Sequence, residues 1–244
     1  MNVFARVAQR PWRDVPVSLR VALPLLLVLH AGWRAGLAPT RPRAAALPRP
    51  PAPSVARVAA LGELPVAAKI VSLWLQAFDD QAGVSLPFAA LDYARLEDWL
   101  ALSLALDPAA QYPLLAASRL YAEVPEAARS RRMLDFVARA FAADPARRWP
   151  WLAHAVFVAR HRLHDLPLAR DYARRLARAD APEIPSWARQ LEIFVLEDMG
   201  EIEAAKVLLG GLLASGQVTD PHEQRWLTGR LAALEAAAAS RAPR

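Results

Sequence analysis

Apolar residues crowd into one run near the start of the chain, VALPLLLVLHAGW over residues 21–33, and fall at helical spacing further on. The run makes about 20 Å of helix, short of the roughly 20 residues that cross a bilayer. Extended to residues 15–38 the element is long enough, and it then carries Arg20, Arg34 and Pro24. The two arginines have to snorkel toward opposite interfaces, and the proline is a kink site. From Val66 onward, segments such as VSLWLQAF and LEDWLALSLAL place apolar side chains three and four apart, broken at DDQAGVSLP and at DP. That period predicts amphipathic helices. Between the two regions, PTRPRAAALPRPPAPS (residues 39–54) has Leu47 as its one bulky apolar residue, with prolines throughout. Such a segment has little to bury and is predicted to be an extended, semi-stiff spacer. Four parts follow: a basic leader over 1–14, a transmembrane or signal-anchor helix over 15–38, a Pro/Ala/Arg-rich linker over 39–60 and a helical domain over 61–240.

The helical domain repeats itself. DPAAQYPLLA at residues 107–116 returns as DPARRWPWLA at 144–153. Units run over residues 107–143, 144–179 and 180–219, and a fourth opens at Asp220. Pro113, Pro150 and Pro185 recur a few residues into the units. Proline is tolerated in the first turn of a helix, so each is expected to open the first helix of its unit. A second break falls mid-unit, at AEVPEAAR, HDLPLAR and EDMGEIEAAK. Each unit is thus two helices and a turn. One such pair cannot bury its apolar face alone, which calls for stacking against its neighbours.

Over residues 66–239 the chain resembles tetratricopeptide repeats. The resemblance rests on LALDP and AFAADP, on MGEIEAAKVLL, and on an early aromatic residue in each unit: Tyr112, Trp149 and Trp187. The units are 36 to 40 residues long against about 34 in that family, and none carries its Trp, Gly and Tyr at full spacing. The resemblance implies an all-α, right-handed solenoid of helical pairs that binds another protein on a concave surface. Tyr112, Arg148, Trp149 and Trp187 are then expected on the partner-facing side of the first helices, without catalysis or a cofactor.

Charge sharpens the picture. Residues 1–60 hold nine Arg against one Asp, whereas residues 61–244 hold 21 basic and 23 acidic side chains. The high pI belongs to the N-terminal part, which argues against nucleic-acid binding by the helical domain. Within that domain residues 61–106 net −4, residues 107–179 net +6 and residues 180–223 net −7. A basic middle between acidic ends is expected either to steer an acidic partner or to pair ends with middles of other copies, unless the charges merely solvate outer faces. No cysteine is present, so disulfides and thiolate chemistry are absent. Four Arg precede the apolar run and five follow it by residue 57. A short basic N-terminus kept in the cytoplasm, with the body in the periplasm, is the expected arrangement. A cleaved signal peptide with Ala44–Ala46 as its cleavage site competes with an uncleaved anchor.

Candidate chemistry is sparse. His154, His161 and His164 would lie near one face of a helix, with Asp165 at its end, as a metal or general-base cluster. They lack the i, i+4 pair and Glu of a helical zinc protease, and Arg160 and Arg162 flank them. A metal- or His-dependent enzyme is the alternative reading. Glu197, Asp198, Glu201 and Glu203 flank a turn, where acidic residues at a helix start complement its dipole. Gly210 and Gly211 lack the Lys and Ser or Thr of a phosphate loop. Trp74, Trp99, Trp151 and Trp226 are expected to pack in the core.

Overall fold

The computed structural model describes residues 15–36, 44–216 and 218–241. The leader over 1–14, the end of the expected anchor (37–38) and the start of the expected linker (39–43) lie outside the described residues. The chain divides into two units, Met1–Arg43 and Ala44–Arg244.

In the first unit the apolar run folds as helix α1, Val17–Gly36, with Pro24 inside it and Arg34 in its last turn. Its 20 residues measure about 30 Å, the thickness of a bilayer's hydrocarbon core. Its mean hydropathy reaches 1.3, and none of its side chains is buried. Among the described residues it is the one unbroken helix long and apolar enough to cross a membrane.

The second unit is all-helical apart from a small hairpin. Helices α2 (Pro53–Ala59) and α3 (Leu64–Ala77) lead into strands β1 (Asp80–Gln81) and β2 (Val84–Ser85), which pair antiparallel through a turn at Gly83 (φ +76°). Then follow α4 (Tyr93–Leu106), α5 (Tyr112–Ala116), α6 (Ala127–Ala143), α7 (Pro145–Phe157) and α8 (Leu166–Arg178). The chain ends in α9 (Ser186–Arg189), α10 (Leu191–Asp198), α11 (Ile202–Ala214) and α12 (Pro221–Arg241). Helices α5 and α7 each run on into a π-helical turn, Ala117–Tyr121 and Val158–Arg162. Neighbours in sequence pack on one another: α3 on α4, α6 on α7, α7 on α8, α8 on α10, α10 on α11 and α11 on α12. Leu96, Leu114, Leu134, Leu152, Tyr172 and Val195 belong to one core that runs from α4 to α10, and Leu196, Leu209 and Leu227 to a second at the C-terminal end.

The Asp-Pro repeated at residues 107 and 144 starts a helix at one of its two places. Asp144 caps α7, its carboxylate accepting from the Arg147 N–H at 3.3 Å, and Pro145 fills the first helical position. In the preceding unit Asp107 instead closes a turn onto the Ala109 N–H, and the helix waits until Tyr112. Pro113 lies in the first turn of α5 as expected. Pro150 does not open a helix: α7 has already begun five residues earlier and passes through it. Pro185 stands just before α9. The mid-unit turns fall at 122–126, 163–165 and 199–201. The last uses Gly200 in the left-handed region (φ +76°), which brings the Glu201 N–H onto the Leu196 carbonyl at 2.9 Å.

The spacer expectation is corrected from Ala44 onward. Leu47 is 2 % exposed and belongs to the main core. Gln81 pairs with the backbone of Ala45 in both directions, at 2.7 and 3.1 Å. The Trp99 indole N–H donates to the Pro48 carbonyl at 2.9 Å, and Arg95 donates to that of Leu47. Prolines leave few N–H groups to satisfy, so Gln81 on β1 and the donors from α4 suffice to strap the segment onto the body.

All four tyrosines of the chain have raised pKa values, with burial the main cause. Tyr93, whose hydroxyl donates to the Tyr121 carbonyl, is pushed up to about 12. The unfolded chain loses its phenolic protons near pH 10. Stability is therefore complete below pH 10 and falls as pH rises through about 12. A pH titration of phenolate absorbance beside helical circular dichroism checks this: the two should change together. Ionisation near pH 10 with helicity intact would contradict the buried hydroxyls.

Candidate partner-binding surface

The charge blocks of the sequence meet inside the molecule. Arg132 and Arg139 on α6 both hold Glu97 on α4. Arg160 holds Asp198, Arg170 holds Glu201 at 3.1 Å, and Arg174 holds the buried Glu192 at 2.9 Å. Arg230 on α12 closes the series on Glu197. The basic middle therefore pairs with the acidic ends across the seams between successive helical pairs. Where both partners are exposed such a pair contributes at most about 1 kcal/mol, so the series serves register more than strength.

Arginine also finishes the helices. Arg148, expected to face a groove, is 6 % exposed. Its guanidinium donates to the carbonyls of Ala140, in the last turn of α6, and Pro108, at 2.6 and 3.0 Å. Burial lowers its pKa, with Asp144 acting against that. Arg189 does the same one unit on, donating to Ala177, Ala179, Ala181 and Ile184 around the end of α8. Arg57 reaches Ala105 at the end of α4. These side chains take up carbonyls that a helix end leaves without a partner. The expectation that Arg148 faces an open surface is thereby corrected.

The other three candidates separate. Trp149 and Trp187 meet edge to face, ring centroids 5.6 Å apart, and join α7 to α9. Trp149 leans on the core while Trp187 stays 47 % exposed. Tyr112 is half-buried beside Gln76, in a hollow of about 330 Å³ between α3 and α5. Trp99 and Trp151 pack as expected, the latter donating to Gln111 at 2.6 Å. Trp74 and Trp226 stay outside the core: Trp226 is 52 % exposed, and Trp74 is exposed on one side while its ring rests on Trp99 and Phe78 at 4.6 and 5.3 Å. Trp226 instead tilts against Phe194 at 5.9 Å, repeating one unit later the kind of pair made by Trp149 and Trp187. Half-covered aromatic rings thus recur at α9 and α12.

The three histidines do not converge. His154 is half-buried, and burial followed by the Arg119 charge lowers its pKa. His161 is exposed and stacked on Phe157. His164, with φ +52°, forms the turn between α7 and α8. Glu197, Asp198, Glu201 and Glu203 are all taken by ion pairs. Among the described residues no three His, Asp or Glu side chains are placed to hold a metal ion.

One surface was not anticipated. Helix α3 buries Ala68 and Leu75 but leaves Val66, Ile70, Leu73 and Trp74 exposed, and Val58 and Leu61 before it are 77 % and 91 % exposed. A groove of about 500 Å³ opens among α2, α3 and α4, with Glu63 its only charged lining residue. Comparison with known proteins finds no matching family, no matching curated protein and no matching solved structure.

Proposed function

We propose that this chain is a membrane-anchored adaptor. In this reading α1 holds it in the bilayer, the body lies on the periplasmic side, and its helical pairs stack as a right-handed, tetratricopeptide-like solenoid that binds another envelope protein without catalysis. The observation that carries it is the recurrence of half-exposed aromatic rings, Trp187 and Trp226, on successive units. Tryptophan held against a rigid neighbour offers a large contact area at low entropic cost, and it is over-represented among side chains that dominate binding. The consecutive packing of helices and the arginines closing each seam supply the rigidity.

The test is capture from solubilised native membranes with the full chain as bait. Trp187→Ala combined with Trp226→Ala should cut recovery of a specific partner by roughly thirtyfold, the effect of losing about 2 kcal/mol. The melting temperature should fall by a few degrees only, because each half-exposed ring gives up one aromatic contact, with Trp149 or with Phe194. Undiminished capture by a folded double variant would count against the aromatic surface.

A further inference from the structure

A helix that is apolar all round is ordinarily buried in a core or in a membrane. Helix α3 is apolar over most of its circumference, with Lys69, Ser72 and Gln76 as its polar stripe, yet α4 covers one side only. We infer that the α2–α3 face is a second membrane contact, lying in the plane of the bilayer surface, with Val58, Leu61, Val66, Ile70, Leu73 and Trp74 set among the lipids. The inference rests on α1 being a membrane anchor.

Three observations favour lipid over a protein partner. Taken together α2 and α3 are long and apolar enough to pass for a span, but they are bent by 111° and so cannot cross as a rod. Their legs of 7 and 14 residues are about 10 and 21 Å long, each short of the hydrocarbon core. An apolar element of that length belongs at the interface, where tryptophan is also favoured. Next, the length of the chain permits such a contact. Eight peptide steps separate Gly36 from Ala44, a reach of about 28 Å at most, and the strapped segment then leads directly into α2. Last, residues 37–77 carry Arg41, Arg43, Arg49, Arg57 and Lys69 against Glu63 alone. An excess of cations in the stretch of chain that carries the apolar stripe suits anionic headgroups.

The chain has no cysteine, which makes single spin labels straightforward. Leu27→Cys, Ile70→Cys, Leu73→Cys and Thr228→Cys variants of the full chain are labelled and reconstituted into vesicles of phosphatidylethanolamine and phosphatidylglycerol. Accessibility to oxygen is then compared with accessibility to a water-soluble nickel chelate. The oxygen-to-chelate ratio at Ile70 and Leu73 should rise several-fold over that at Thr228, toward the value in α1 at Leu27. If Leu27 is protected while Ile70 and Leu73 stay open to the chelate, the anchor stands and the second contact fails. If all stay open, both fail. Protection of Ile70 and Leu73 in native membranes but not in pure vesicles would assign the face to a protein partner and overturn the lipid reading, as would immobilised labels without oxygen gain, the mark of a second copy.

Discussion

Arg148→Ala should destabilise the body by about 3 kcal/mol and lower its melting temperature by roughly 6–12 °C. The loss has two parts. The guanidinium's hydrogen bonds to Ala140 and Pro108 disappear. Their carbonyls are then left in a site that excludes water, because Arg148 is itself almost wholly covered. An acceptor stranded in this way costs more than the bond it made. Arg148→Lys should restore only part of the stability, since one ammonium lacks the planar fork that serves two carbonyls at once. Partner capture measured well below the melting transition should be unchanged, because the side chain does not reach the surface. Thermal unfolding of the three proteins, followed by capture at low temperature, separates these outcomes. A melting temperature for Arg148→Ala equal to that of the parent would mean the carbonyls find other donors.

Leu26→Lys together with Leu27→Lys should release the chain from the membrane fraction. Both residues lie mid-way along α1, exposed on all sides and about 15 Å from either end. At the centre of a span each exchange of Leu for Lys costs about 3 kcal/mol on insertion scales, roughly 6 for the pair. A helix whose mean hydropathy reaches only 1.3, and which already carries Arg20 and Arg34, has little reserve against that. In a spanning α1 the native arginines would snorkel, because they sit near the two ends. Lysines at the centre would have to bring water or headgroups with them. Carbonate extraction of membranes expressing parent and variant measures this. A variant that stays in the pellet would show that α1 is not the element holding the protein there, and would direct attention to the α2–α3 face.

Much of the fold was legible because it depends on local chemistry. The helices and the mid-unit turns follow from periodicity and turn chemistry, which act within a few residues. Pro150 shows the limit of that reasoning. Its position matches Pro113 in the aligned units, but in one unit Asp144 starts the helix at once, while in the other Asp107 spends its carboxylate on a turn. Identical dipeptides gave different helix lengths because the backbone after the aspartate can close in two ways. The candidate surface was legible only in part. Trp187 stays half-exposed, whereas Trp149 leans on the core and meets Trp187 edge to face. Arg148, adjacent to Trp149 in the chain, points instead into the seam between units, a difference of direction that no spacing records.

By itself the sequence determined that this is a helical protein with an apolar N-terminal segment, since those properties reside in propensity, period and composition. Only the tertiary structure decided which apolar stripe of α3 is covered, which charges neutralise one another, and that the proline-rich segment from Ala44 lies strapped to the body. Each of those is a question of what a side chain finds opposite it. Burial and pairing belong to two surfaces at once, and the sequence describes one at a time.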